Sequence, residues 1–497
     1  MSETLTGPAT PDLASRPTEL ARRRAAAPPV ILAAGALAGL FAAATAPLDR
    51  PGLGWLLTGA GIAGGVAVAA RSGDRGDRPG PLRTRRRAGT GWTLLALALL
   101  AVGTLRAANW LFVLCVLGAC VAGSLAVTGG RSAGRVLRDA IAVPRTVLAD
   151  LPWLARGTAA LRGRAGGVPA RLFLSVVAGL VLVALFGALF ADADPTFAGL
   201  LSHAMPTVDG PSVFGWVFLF AVAGTGTAAA AHLLVAPPPA PPAAKTKPRL
   251  RLLEWAVPLA LLVLLFAAFV VNQLAVLFGG ADTVLRTAGL TYAQYARSGF
   301  WQLLMVTALT LLVIAVVVVE ADHAERACRL WMRVLLGSLS VLTLVVVASA
   351  LTRMWSYQRA YGFTVLRLGV ETAELWLGVV YLLVIAAGVR MKWDWLPRAI
   401  PATCLAAVLG LALADPEGII AKENVARWQQ TGLVDLGYLS GLSEDVVPAL
   451  DGLPGTLRCP VLWEMSRRLD PGTDGWLGFN AARAAARRAL ADARPGC

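Results

Sequence analysis

Arg353, Tyr357 and Tyr361 recur at i, i+4 and i+8, and after Gly362 the pattern resumes with Thr364, Arg367, Glu371 and Glu374. Each set falls on one face of a helix. A helical hairpin turning at Gly362 would therefore gather guanidinium, phenol and carboxylate groups in one place. Such a cluster could bind a partner or an envelope component. An Arg–Glu pair four residues apart could equally do no more than stabilise its own helix. Tyr292, Tyr295 and Arg297 belong to the same candidate group, because four of the six tyrosines lie in connections between apolar blocks. Asn424 and Arg427, about one turn apart near the C-terminus, could close over the hairpin.

A second group could line a path for a solute. Glu254 stands at the entrance of an apolar block, and Pro258 four residues later would free its backbone carbonyl. Asn272 and Gln273 lie near the other end of that block. The alternative is an interfacial carboxylate with no such role. Ionisable residues within a bilayer are the usual functional markers. None stands near the middle of an apolar block here, which argues against a transporter with a midplane carboxylate.

Catalytic signatures are lacking. The sequence contains no HExxH, no Walker A loop, no GxSxG and no GxGxxG after a strand. Its three histidines, His203, His232 and His323, stand singly, without cysteine or carboxylate at metal-ligand spacing. No catalytic residue, metal or cofactor is expected. Cys115, Cys120 and Cys404 lie in apolar blocks and read as small buried residues, while Cys328 falls in a connection. Cys459 and Cys497 lie in the tail, where a bridge could form if the tail is exoplasmic.

The elements that carry these residues follow from composition. Of 497 residues 57% are hydrophobic and only 15% charged, with a mean hydropathy of +0.65. Soluble domains average about 25% charged residues, so an ordinary soluble enzyme is excluded. The apolar residues form blocks at 30–46, 52–70, 91–104, 110–128, 172–190, 216–235, 252–278, 300–319, 334–351, 373–389 and 399–414. Each approaches the roughly 20 residues that cross a bilayer as a helix. The expected fold is all-α: a polytopic membrane protein of about 11 transmembrane helices with a small helical C-terminal domain. Residues 92–128 exceed one span and carry a polar point at Arg106–Asn109, so they read as a tight hairpin. The absence of a breaker over 334–361 predicts one helix of about 42 Å, longer than the roughly 30 Å core.

With the N-terminus inside, inside segments hold 29 Lys and Arg and outside loops hold 7. That bias matches the positive-inside rule. It also accounts for the +15 net charge and the pI near 10.4 without nucleic acid. The first helix reads as a retained signal anchor in the plasma membrane, with a cytoplasmic N-terminus and an exoplasmic tail. Trp92, Trp110, Trp216, Trp255, Trp301, Trp376 and Trp395 near the block ends read as an interfacial belt.

The expected organisation is a disordered cytoplasmic segment 1–29, four spans over 30–128, a basic amphipathic segment 129–171, seven spans over 172–414 with a Pro-rich linker at 236–251, and the helical domain 415–497. Within 134–165, Leu137, Ile141, Leu148, Leu151, Trp153 and Leu154 alternate with Arg135, Arg138, Arg145 and Arg156, and Pro144 and Pro152 divide the segment into short pieces. It is expected either to lie on an anionic leaflet or to pack against span ends. The partners implied are the bilayer and anionic lipids at the basic cytoplasmic loops, with any protein partner unassigned. GxxxG spacings at Gly35/Gly39 and Gly61/Gly65 predict close helix packing. In the tail, Pro416 suits a helix start, Thr431-Gly432 a turn, Ser443 a cap, and 476–493 a final amphipathic helix.

Three stretches, TYAQYARSGFWQL (291–303), TRMWSYQRAYGFTVLRL (352–368) and DPEGIIAKENVARW with GLVDLGYLSGLSEDVVPAL (415–450), resemble the bacterial integral membrane family known as domain of unknown function 4153/4173. The resemblance extends over roughly residues 170–490. It implies a polytopic membrane protein without an assigned activity, and it brings no catalytic residues. Three functions stay open: a non-enzymatic protein binding a partner or envelope component at its outer face, a transporter or channel lined by Glu254, Asn272 and Gln273, and a membrane enzyme acting on lipid or envelope glycan.

Overall fold

The computed structural model describes residues 26–73, 82–129, 136–164, 210–235, 250–278, 300–321, 325–469 and 474–493, with isolated positions between 165 and 209. The helices are α1 (Pro29–Thr45), α2 (Leu53–Gly73), α3 (Leu82–Ala101), α4 (Asn109–Thr128), α5 (Val136–Ala140), α6 (Ala142–Arg164), α7 (Gly210–Val235), α8 (Leu252–Phe278), α9 (Phe300–Glu320), α10 (Arg326–Tyr361), α11 (Val365–Arg390), α12 (Leu396–Leu413), α13 (Pro416–Thr431), α14 (Leu436–Gly441), α15 (Gly455–Arg468) and α16 (Ala481–Ala493). Short 3₁₀ segments add Val102–Thr104 and Glu444–Gly452. Among the described residues there is no strand, only an isolated bridge between Leu250 and Ala321.

Eight helices in the described residues are long and apolar enough to cross a membrane, and Pro29–Thr45 and Gly89–Thr104 are shorter apolar helices. The block expected at 172–190 lies largely outside the described residues, as do the segments holding Tyr292, Tyr295, Arg297, His203 and His323.

The chain divides into two compact units. The first comprises residues 1–48, 57–84 and 141–238. Its centre is the contact of α1 with α7. A Cβ at Gly35 would lie 2.8 Å from the carbonyl oxygen of Gly224, and one at Gly39 would lie 2.7 Å from that of Phe220. The first GxxxG thus serves packing within the chain, where small residues let backbones touch. Helix α6 departs from the expected short pieces: it runs from Ala142 to Arg164 straight through Pro152. Pro144 sits in its first turn, where a missing amide costs nothing. Trp153 beside Pro152 is buried with Ile31, Ala34, Ala228 and Ala231, and this packing offsets the lost backbone bond. His232 stacks on Trp153 with ring centres 4.2 Å apart, and its Nδ1 lies 2.6 Å from the Asp150 carboxylate. The opposite face leaves Ile141, Leu148 and Leu151 exposed.

The second unit comprises residues 49–56, 85–140 and 239–497. Helices α8–α11 share a core that includes Trp255, Leu259, Phe266, Met332, Leu339, Val346 and Tyr381. Trp255 is thus a core residue and not a lipid-facing one. Helix α10 has 36 residues, about 54 Å at 1.5 Å per residue, and it exceeds a core of about 30 Å. It begins at Arg326, before the expected 334. The α3–α4 hairpin breaks at Leu105–Ala108, around the polar point marked by Arg106, and α4 packs on α12 through Leu111, Cys115, Leu405 and Ala412.

The tail builds its own core from Ile420, Val425, Leu439, Val446, Leu450, Val461, Met465 and Ala486. Its helix ends follow local chemistry: Asp415 caps α13 at Gly418 N, and Gly432 ends that helix with φ 71°. The last helix starts at Ala481 and not at 476. Asn480 is the reason, because its Oδ1 accepts the Arg483 amide at 3.0 Å and fixes the start there.

Candidate functional site

The tail core reaches into the α10–α11 turn. Gly362 turns the chain with φ 86°, a conformation that favours glycine. A Cβ there would also lie 2.7 Å from Asn424 Oδ1. Phe363 follows and is 6% exposed within the tail core. Asn424 accepts the Phe363 amide and donates to the Phe363 carbonyl, each at 2.9 Å. Arg427 donates to the Ala360 carbonyl at 2.8 Å, and the Val365 amide donates to Tyr438 Oη at 2.8 Å.

Around this turn several of the sequence-selected residues meet. Arg367 donates to the carbonyls of Tyr361 and Gly362 and lies 4.3 Å from the Tyr357 ring centre. The Tyr357 and Tyr361 rings are 4.9 Å apart. Glu371 accepts from Gln358 Nε2 at 3.0 Å, so its partner is an amide and not an arginine. Arg353 turns away and donates to Gln273 Oε1 of α8 at 3.2 Å, joining two groups that the sequence left apart. Glu374 does not join the cluster: it is fully buried in α11. Glu254 is exposed and accepts the Arg251 amide at 2.8 Å, which makes it part of the helix start. Asn272 is exposed.

A second attachment lies at the α3–α4 turn and uses residues that the sequence did not select. The amides of Ala107 and Ala108 both donate to Asp445 Oδ2, at 2.9 and 3.0 Å. Arg106 donates to the Ala412 and Leu413 carbonyls that end α12 and pairs with Asp415 at 3.0 Å. Asn480 donates to the carbonyls of Gly103 and Arg106. Trp110, read as interfacial, instead donates its indole N–H to Glu417 at 2.7 Å, and Glu417 also accepts the Ser443 amide. Burial and the nearby Asp415 charge push the Asp445 carboxyl up to about 6, against the hydrogen bonds from Ser443, Ala107 and Ala108. Burial raises Asp415 as well, and the Arg106 charge opposes it.

The third feature is a cleft of about 260 Å³ lined by Asp49, Arg50, Ala107, Asn109, Glu444, Arg468, Arg483 and Arg487. Asp474 lies beside it and is contacted by Arg50 at 3.0 Å, Arg483 at 3.0 Å and Arg487 at 2.7 Å. Burial alone would raise this carboxyl, but the bonds from Arg487 and Arg483 outweigh it and hold the group at about 2. Arg50 also pairs with Asp49, and Arg468 donates to the Ser440 and Leu442 carbonyls, so the four arginines exceed Asp49, Glu444 and Asp474 by one positive charge at the cleft. Leu53 and Gly54, at the start of α2, donate to the carbonyls of Phe479 and Leu477. That edge is thus bonded to residues 53 and 54 of the same unit.

The single faint indication of these groups in the sequence was the polar point at Arg106–Asn109. Cys459 is disulfide-bonded, and Cys115, Cys120, Cys328 and Cys404 are free. Among the described residues no group of three His, Cys, Asp or Glu could hold a metal ion.

These elements define an all-helical, multi-pass membrane protein with a small helical C-terminal domain fastened to the ends of its spans. Residues 94–453 match the family described as Domain of unknown function (DUF4153), and the chain belongs to that family. The match starts within α3, earlier than the 170 expected from the sequence motifs, and so includes the hairpin that holds the tail. No curated protein and no solved structure matches the chain.

Proposed function

We propose that the protein binds an anionic envelope component, a phosphate-bearing group, in the arginine-lined cleft at the exoplasmic face of the bacterial plasma membrane. The observation that carries this reading is the cleft itself, where Arg50, Arg468, Arg483 and Arg487 outnumber Asp49 and Glu444. Arginine suits such a ligand because its planar fork matches phosphate oxygens. Exoplasmic placement rests on the 29-to-7 distribution of basic residues and on the disulfide-bonded Cys459, since disulfides persist outside the cytoplasm. Trp476 and Phe479, 68% and 50% exposed, flank the same edge and suit the depth of lipid headgroups.

The residues at the α10–α11 turn have a different role in this reading. Asn424 and Arg427 bond the Phe363 and Ala360 backbone from the tail, and Arg367 bonds the Gly362 carbonyl within the hairpin, so in this reading they form the turn and its attachment to the tail. The transporter reading loses support, because Glu254 caps its own helix and Gln273 is engaged by Arg353.

Native mass spectrometry of the full chain released from nanodiscs tests the proposal. Anionic phospholipid should remain bound to the wild type and be lost from Arg50→Gln and Arg468→Gln. Retention of inorganic phosphate with no lipid would point to a soluble ligand. Equal retention in all three proteins would overturn the reading.

A further inference from the structure

Glu374 lies about 14 Å along α11 from its first residue, at 1.5 Å per residue, inside a helix apolar enough to span the membrane. Its side chain is 0% exposed, and neither carboxylate oxygen has a hydrogen-bond partner. A bare carboxylate in such a place is strongly disfavoured, because nothing replaces its lost hydration. Intramembrane carboxylates therefore mark function unless a cation neutralises them.

Among the described residues no cation is bonded to Glu374. Arg353 and Arg367, the arginines nearest in the α10–α11 hairpin, are committed to Gln273 and to the turn carbonyls. The other ionisable groups on the packed helices are Glu371 and Tyr381 of α11, Tyr357 of α10, and Arg398 and Cys404 of α12, with Arg359 and Tyr361 at the turn and Arg326, Cys328, Arg329, Arg333 and Arg390 towards the opposite ends of α10 and α11. Helix α9 presents only the hydroxyls of Thr307 and Thr310 to this core, with its carboxylate, Glu320, at the far end. Helix α8 has Glu254 alone, in its first turn.

The surroundings form a row. Arg367, Glu371, Glu374 and Tyr381 fall at helical spacing on one face of α11. At the outer end Glu371 is held by Gln358, whose own Oε1 is buried without a partner. At the inner end Tyr381 donates to the Thr307 carbonyl at 2.7 Å and lies among Thr310 and Thr343. Beyond Tyr381 the face becomes apolar with Val384 and Ala387. The row leads inward from the turn and stops.

We propose that Glu374 is a proton-binding site within the membrane bundle, loaded from the α10–α11 turn by way of the Glu371 carboxylate, which Gln358 holds in place. A proton fits better than a metal cation, which would need several more oxygen ligands than this pair of oxygens supplies. Binding is a simple transfer: hydronium at the turn gives its proton to the carboxylate, which becomes the neutral acid. Release reverses the step towards the same side, because the row ends at Tyr381.

Infrared difference spectroscopy of the full chain in liposomes tests this independently of the cleft. The wild type should show the C=O band of a protonated, buried carboxylic acid that shifts in D₂O. The band should vanish in Glu374→Gln and move in Glu374→Asp, which keeps the acid should the amide variant fold poorly. In Glu371→Gln the D₂O shift should develop more slowly. A wild type without the band, or a band unaltered in both Glu374 variants, overturns the proposal. Loss of the band on adding sodium at constant pH also overturns it, in favour of a cation site.

Discussion

Asn424 grips Phe363 at both backbone positions, its Oδ1 taking the amide and its Nδ2 giving to the carbonyl, each at 2.9 Å. A side-chain amide bonded this way copies the pairing of one strand residue with another and leaves little angular freedom. The same Phe363 side chain enters the tail core, so the turn is fixed from outside and from within.

Replacing Asn424 by Ala should weaken tail docking by about 1–3 kcal/mol, since it removes two hydrogen bonds and strands backbone groups. Limited proteolysis reads this directly, with faster nicking between residues 431 and 480 in the variant. Arg353→Ala should leave the nicking unchanged, because Arg353 contacts α8 and not the tail.

Asp445→Ala should cost more, about 2–4 kcal/mol, because two buried amides lose their acceptor together. Its pH signature also has a defined sign. The folded carboxyl sits near 6, above the ordinary value, so the native state holds the proton more tightly than the unfolded one. The corresponding stabilisation is complete below about pH 4 and is lost as pH rises through about 6. The thermal midpoint of wild type should fall across that window, and Asp445→Asn should flatten the slope.

Asp474 gives the opposite sign. It is held at about 2 by its arginines, so its contribution is present above about pH 4 and disappears as the pH falls towards 2. Arg483→Ala, which also removes bonds to the carbonyls of Pro51 and Gly478, should raise the acid midpoint of tail release. Intrinsic tryptophan fluorescence of Trp476 would follow it.

Helix α6 offers a lipid test. Trp153 is packed on α1 and α7 while Leu148 and Leu151 face outward. If the outward face rests on anionic headgroups, amide exchange over 142–164 should slow in anionic nanodiscs relative to neutral ones, and salt should reverse the effect. Equal exchange in both would leave packing as the sole role of the segment.

Membrane topology is checked by reporter fusions. A fusion after residue 497 should be active outside the cytoplasm, and fusions at 80 and 243 inside it.

The spans were legible because apolar blocks are a one-dimensional signal. The hairpin break at Arg106 and the turn at Gly362 were equally so, because a charge or a glycine interrupts the pattern locally. Long-range polar partners were not. Asp445 and Ala107 are 338 residues apart, and nothing in the periodicity near either residue marks the other. Trp110 looked like any interfacial tryptophan until Glu417 reached its indole. Glu374 was hidden by a boundary. The apolar block begins at 373, but the Thr364 side chain caps the helix from Val365, which carries the carboxylate into its interior.

The bond between Asp445 and the α3–α4 turn also sets a timetable for biosynthesis. The turn leaves the ribosome 338 residues before its acceptor, roughly 17–70 s earlier at synthesis rates of about 5–20 residues per second. Throughout that interval the Ala107 and Ala108 amides lack the acceptor that they have in the finished chain. The hairpin is thus a latch that waits for the C-terminus, and a chain truncated before Asp445 would never close it.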